Sequence, residues 1–112
     1  MKKDQTDEQI YVYTSQMPEF PGGITHLYKF ITANLKWPNE LCADFTIYTR
    51  FVIEKDGSVE KIEIQKGVAG FPEYDQEVIR IIKLLPKFVP AQIEGKPVRC
   101  WFQIPVKYKC GQ

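Results

Sequence analysis

One histidine, three cysteines and 14 acidic residues are the side chains of this 112-residue chain with obvious catalytic or ligand chemistry. To act as a base, His26 would need a nucleophile and an orienting carboxylate beside it. No serine or cysteine stands in a nucleophile motif such as G-x-S-x-G. His26 falls beside the apolar stripe of a predicted helix, which reads as a surface or boundary histidine. A metal centre needs at least three good ligands; His26 with the scattered Cys42, Cys100 and Cys110 matches no known spacing. The acids stand at helix starts and on solvent faces, so paired-carboxylate glycosidase chemistry has no support. Gly22-Gly23 follows Pro21 rather than a strand, unlike a phosphate loop. The reading is no enzyme, no cofactor and no metal.

Recognition chemistry is better represented, on the last predicted strand, Lys96 to Tyr108. Gly95 and Pro97 open it and its side chains alternate. Val98, Cys100, Phe102, Ile104 and Val106 take one face; Arg99, Trp101, Gln103, Pro105 and Lys107 take the other, the period of a half-buried strand. The second set either covers a neighbour, meets solvent, or forms a recognition surface, since Trp and Arg are favoured binding anchors. Pro105 has no N–H for a ladder, which predicts a position at or near a sheet edge. Such an edge invites pairing with another chain. Cys100, on the inward set, reads as a small core hydrophobe. A straight strand holds Cys100 and Cys110 roughly 33 Å apart, so they cannot bond to each other; Cys42 can pair with either, and the odd count leaves a free thiol.

The elements that must position this strand follow in chain order. Residues 1–9 are polar and predict a loose start; residues 10–110 predict one domain. Ile10 to Thr14 is a short β-prone run. Met17 to Gly23 carries two prolines and two glycines and breaks regular structure, with Phe20 as an apolar plug. Ile24, Leu27, Tyr28, Ile31 and Leu35 form one helical stripe. Pro38 to Ala43 predicts a short second turn of helix. Phe45–Lys55 and Ser58–Lys66 predict a hairpin about Asp56-Gly57, with a bulge near Glu60 because Val59 has the opposite parity. Glu73 to Leu85 predicts a second helix, acidic at its start and basic at its end as its dipole favours. Pro86 to Pro90 predicts an extended connector to the turn at Glu94-Gly95. The order (β)-α-β-β-α-β predicts an α+β domain: an antiparallel sheet of three, or possibly four, strands with two helices on one face.

Composition narrows the function classes. Hydrophobic residues make up 44% and charged residues 26% of the chain, ordinary globular values. A formal net charge of +1 provides no field for nucleic acid or anionic lipid. No apolar run approaches the roughly 20 residues of a membrane span, and the start of the chain has no apolar signal region.

Five segments together resemble a known family. Met17-Pro-Glu-Phe-Pro-Gly-Gly23 with Asn34-Leu-Lys-Trp-Pro38 is similar to the opening of TonB C-terminal domains of the Bacteroidetes type. Phe51-Val-Ile-Glu-Lys-Asp-Gly-Ser-Val59 resembles that family's hairpin. Leu85-Pro-Lys-Phe-Val-Pro90 resembles its segment after the second helix, and Gly95-Lys-Pro-Val98 through Ile104-Pro-Val106 its closing strand. The sequence departs from the pattern at Trp37 (for Tyr), Phe88 (for Trp) and His26 (for a small residue), in a shorter loop before Phe45, and in the absence of the membrane helix and proline-rich spacer. The resemblance implies a periplasmic domain, tethered to the inner membrane in the full-length protein. It implies a grip on the TonB-box peptide of an outer-membrane transporter by β-strand addition, and force from the ExbB–ExbD motor for siderophore or nutrient uptake. Carried onto this sequence, it implies partner contacts at Arg99, Trp101, Gln103 and Lys107, with a second group at Asn34, Lys36 and Trp37. Two alternatives accompany it: the sensor tail of a BlaR-like membrane regulator, and a self-associating module that forms a homodimer through its open edge.

Overall fold

The computed structural model describes residues 9–38 and 44–110. Within them the chain forms β1 (Ile10–Tyr11), α1 (Ile24–Asn34), β2 (Phe45–Ile53), β3 (Val59–Lys66), α2 (Pro72–Lys83), β4 (Ala91–Ile93) and β5 (Lys96–Tyr108). The α+β class and the two helices are as expected. The sheet differs. It has five strands rather than three or four, in the order β1-β5-β2-β3 with β4 also on β5, and it is mixed because β1 runs parallel to β5. The loose start and the extra turn of helix at Pro38–Ala43 fall largely outside the described residues.

The sequence predicts β5 at or near a sheet edge, and near is the outcome: only the two-residue β1 lies outside it. β5 is the second strand of the sheet. On one flank it pairs with the whole of β2, from Phe45↔Tyr108 to Ile53↔Cys100. At its start it pairs with β4 over Lys96–Val98, and β1 pairs with it only at Arg99 and Cys100. Cys100 is thus matched to both Ile53 and Tyr11, which puts β1 on the flank opposite β2. From Trp101 to Tyr108, β2 is the only strand neighbour among the described residues. Pro105 lies inside that singly flanked stretch, where its missing N–H is tolerated.

The core forms where the two periodicities meet. Ile47, Phe51 and Ile53 of β2 and Ile104, Val106 and Tyr108 of β5 share one face; Leu27 and Ile31 of α1 and Tyr74, Val78, Ile81 and Ile82 of α2 cover it. Each buried aliphatic or aromatic side chain contributes about 1.5–3 kcal/mol of transfer free energy. Ile24 belongs to the same helical stripe yet is 53% exposed, so the first turn of α1 projects past the core. The plug residue Phe20 is buried and meets Phe88 edge-on at 5.2 Å. The expected irregularity in β3 falls at Lys61, which has φ 52, beside a register shift between Arg50 and Val52. Buried Thr49 donates its hydroxyl to the Glu63 carbonyl there (2.8 Å).

The β2–β3 turn is docked against the connector after α2. Gly57 has φ 90, its carbonyl accepts the Phe88 N–H (2.9 Å), and a Cβ at position 57 would run into the Phe88 carbonyl oxygen. Gly95, in the β4–β5 turn, has φ 79 and open space around it. Gly57→Ala therefore carries both a left-handed backbone penalty and a clash, whereas Gly95→Ala carries the backbone penalty alone. We expect Gly57→Ala to cost about 2–3 kcal/mol and Gly95→Ala about 1 kcal/mol. Urea unfolding of the two variants checks the order; equal losses would show that the Phe88 contact contributes nothing.

Candidate functional site

The singly flanked part of β5 faces a groove. Its volume is about 650 Å³. One wall is the second half of α1, with Tyr28, Ile31 and Thr32, continued by Leu35 just after it; Trp37 closes one part of the lining and Pro105 to Lys109 supply the other wall. No residue of β2, β3 or α2 lines it. α1 stands over β5 because Leu27 and Ile31 anchor it to the core while Tyr28 and Leu35 are only partly buried and Thr32 is exposed.

The segment after α1 is held by a charged brace from α2. The Glu77 carboxylate accepts the Lys36 backbone N–H (2.8 Å) and two N–H groups of Arg80 (2.8 and 2.7 Å). Arg80 donates in turn to the Asn34 carbonyl (3.0 Å). The Arg80 hydrogen bonds, and behind them the Lys36 N–H, hold the Glu77 carboxyl below the usual glutamate range. Trp37 follows directly and packs edge-on to Tyr108 (5.2 Å) and Tyr74 (6.2 Å). Such pairs contribute about 0.5–1.5 kcal/mol each, so Trp37 is anchored although it is 37% exposed. Tyr108 is buried, and its hydroxyl has no hydrogen-bond partner among the described residues. Burial, and after it the Glu77 charge, raises that phenol.

The residues singled out in the sequence divide between these features. Trp37 and Lys107 both line the groove. Gln103 and Lys107 are exposed on β5. Trp101 is half-buried, with the Arg50 guanidinium 3.9 Å above its ring; Arg50 is itself held by Glu63 at 2.8 Å. Arg99 makes a two-pronged pair with Glu54 (2.9 and 3.1 Å) and its side chain is only 11% exposed. Its guanidinium is turned to its cross-strand neighbour. The Asn34 amide donates to the Phe30 carbonyl of its own helix (2.8 Å). The side chains that sequence reasoning missed are Tyr28, Thr32, Leu35 and Tyr108 in the groove, and Glu77 and Arg80 in the brace. Only the helical spacing of Tyr28, Thr32 and Leu35 carried a signal for them.

His26 is exposed, and no group of three or more His, Cys, Asp or Glu side chains among the described residues is arranged to hold a metal. Cys100 is a buried free thiol, raised by burial, and Cys110 is disulfide-bonded. Cys42 lies outside the described residues. No helix among the described residues is long and apolar enough to cross a membrane.

A model of the family described as Gram-negative bacterial TonB protein C-terminal matches residues 46–110. The chain belongs to that family. No curated protein and no solved structure matches it. TonB C-terminal domains are interaction domains rather than enzymes. In this one the matched span holds both strands that define the open flank, β2 from Thr46 onward and all of β5. The α1 wall of the groove lies upstream of the match.

Because its folded-state pKa is depressed, Glu77 stabilises the domain above its ordinary value of about 4.5. That contribution is lost as pH falls from there through the lower folded value. We expect Glu77→Gln to cost about 1 kcal/mol at pH 7 and much less at pH 3. Urea midpoints of both proteins at the two pH values check this. An equal difference at pH 7 and pH 3 would contradict the brace.

Proposed function

We propose that this domain is the periplasmic end of a TonB-type energy transducer, and that it grips the TonB-box peptide of an outer-membrane transporter by β-strand addition to β5. The observation that carries this reading is the flank of β5 from Trp101 to Tyr108, which has β2 on one side and no strand on the other among the described residues. That length is eight residues, about 26 Å of extended chain. A peptide of similar length laid there would complete a ladder of main-chain hydrogen bonds. Such bonds give strength with little demand on sequence, so one domain can serve several transporters.

Pro105 indicates which residues look outward. A proline fits a paired strand where its absent N–H would have pointed to the unpaired flank. By the alternation of a strand, Trp101, Gln103 and Lys107 turn their N–H and C=O groups the same way. Gln103 and Lys107 then offer donors to the incoming strand, and Trp101 the donor next to the end of β1. Trp37 stands across the groove from this rim and gives the peptide a rigid aromatic contact. Asn34 and Lys36 serve as the frame that sets Trp37. Arg99, paired with Glu54, contributes by stiffening the start of the rim. In the full-length protein the domain would pass force from the ExbB–ExbD motor to the transporter's plug, for uptake of siderophores or other nutrients. Nothing in the fold or the family match favours the regulator tail or the self-associating module.

Gln103→Pro removes an outward donor at a position of the same parity as Pro105. It should leave the fold nearly intact and weaken binding of a TonB-box peptide by about tenfold or more, the loss of roughly one well-made hydrogen bond and its neighbours. Ile104→Pro, of the opposite parity, should instead destabilise the domain by about 3 kcal/mol, because it takes a donor from the β2 ladder. Calorimetric titration and urea unfolding separate the two effects. Undiminished affinity in Gln103→Pro would count against strand addition on β5.

A further inference from the structure

The flank of β5 is one open side of the sheet, and β3 is the other. Among the described residues no strand lies beyond β3. The two sides are built differently. β5 matches β2 residue for residue over nine consecutive pairs, without a shift. β3 matches β2 in short pieces: Val59 and Glu60 with Ile53 and Val52, then Glu63 and Ile64 with Arg50 and Thr49, then Lys66 with Tyr48. Between the first two pieces Lys61 and Ile62 stand opposite the single residue Phe51, and between the last two Gln65 stands opposite none. Glu60, Glu63 and Lys66 therefore match Val52, Arg50 and Tyr48, so three steps along β3 cover the distance of two along β2. A regular strand presents its N–H and C=O groups to one side at every second residue. On β3 no matched piece is longer than two residues, so that row is broken along its outer flank.

We propose that Lys61 and Gln65 determine where this domain accepts a strand: as extra residues they close the β3 side to an extended peptide or a second copy of this chain, and leave β5 as the one receptive edge. The inference rests on the strand-addition reading for β5 and goes beyond it in assigning the refusal of the opposite side. The core does not ask for these two residues. Without them the strand reads Val59, Glu60, Ile62, Glu63, Ile64, Lys66. Val59, Ile62 and Ile64, which pack against the core, then alternate with the exposed Glu60, Glu63 and Lys66 in an unbroken period of two. Instead Lys61 is held at φ 52, in the left-handed region where a residue other than glycine is strained. The surroundings fix that shape. The hydroxyl of buried Thr49 donates to the Glu63 carbonyl just after the first shift (2.8 Å). Arg50 holds the Glu63 carboxylate (2.8 Å) and stacks over Trp101 (3.9 Å), which ties the displaced piece of β3 across β2 to β5. Strain that the surroundings maintain and the core does not use points to a role at the edge. Bulges and exposed charges, here Glu60, Lys61, Glu63 and Lys66, are the means by which a sheet edge refuses pairing.

The test compares the full 112-residue chain with a variant lacking Lys61 and Gln65, a variant lacking Lys61 alone, and Lys61→Gly, which keeps the extra residue but removes its charge. Urea unfolding establishes that each is folded, sedimentation velocity measures self-association, and calorimetric titration counts TonB-box peptides per domain. We expect the parent chain and Lys61→Gly to bind one peptide and to associate equally weakly. The double deletion should self-associate at least about tenfold more tightly, and adding Gln103→Pro to it should leave that association in place, because it lies on β3. The Lys61 deletion, which makes Val59 to Ile64 regular, should move the same way and carries the test if the double deletion does not fold. A folded deletion variant that associates no more tightly than the parent overturns the proposal, as does Lys61→Gly associating as tightly as the deletions. If neither deletion variant folds, the core does need the two residues and the proposal fails. A parent chain that binds two peptides, of which Gln103→Pro removes one, also overturns it and leaves strand addition on β5 standing. If Gln103→Pro leaves peptide binding to the parent unchanged, strand addition on β5 fails, while the association of the deletion variants still decides whether β3 is closed.

Discussion

Every residue of a strand except proline carries one donor and one acceptor, and a strand inside a sheet has two flanks on which to satisfy them. β5 satisfies them unequally. β2 runs along it for nine matched pairs, from Phe45↔Tyr108 to Ile53↔Cys100. On the opposite flank β1 supplies two, at Arg99 and Cys100. Among the described residues no other strand pairs along that flank from Trp101 to Tyr108. Most of what distinguishes this domain is arranged around the imbalance. The core fixes β5 through Ile104, Val106 and Tyr108; α1 rises over the bare side; and Trp37 is held opposite it.

The geometry near the rim is stiff for reasons that are local and of different kinds. Trp37 rests on Tyr108 and Tyr74, and the residues just before it are tied to α2 by Glu77 and Arg80. Arg99 and Glu54 close the other end as a largely buried pair. A buried pair of this sort adds little net stability, because desolvation offsets the attraction, but breaking it leaves a charge without compensation. Its effect here is to fix the register where β1 ends and the open flank begins.

Much of this was legible in the sequence, and the parts that were not share a cause. The alternation in β5 separates Cys100, Phe102, Ile104 and Val106 from Arg99, Trp101, Gln103 and Lys107 without ambiguity, because a period of two has only two phases. The helices show in the spacing of Leu27 and Ile31 and of Tyr74, Val78, Ile81 and Ile82. β4 did not show. Ala91–Ile93 is three residues long, too short to display a period, and it is a strand only because the Glu94-Gly95 turn folds it onto Lys96–Val98. The match of Ile10 to Arg99 was equally hidden: nothing local in residues 10–14 says what they pair with, so an open edge was expected where β1 in fact sits. The groove has the same character. Lys109 is unremarkable in sequence and lines the groove only through what stands across from it. Arg99 was picked out as a binding anchor from its residue type; the register that puts Glu54 beside it follows from Ile53↔Cys100, which only the fold provides.

The unequal flanks of β5 can be read directly by amide hydrogen exchange, followed by NMR with and without a TonB-box peptide. In the free domain, the account requires slow exchange at Phe102, Ile104 and Val106, whose N–H groups meet β2, and fast exchange at Gln103 and Lys107. Addition of peptide should slow Gln103 and Lys107 and leave the even-numbered amides nearly as they were. If Gln103 and Lys107 are already as protected as their neighbours in the free domain, or stay unprotected when the peptide is saturating, then β5 is not the strand that receives the partner.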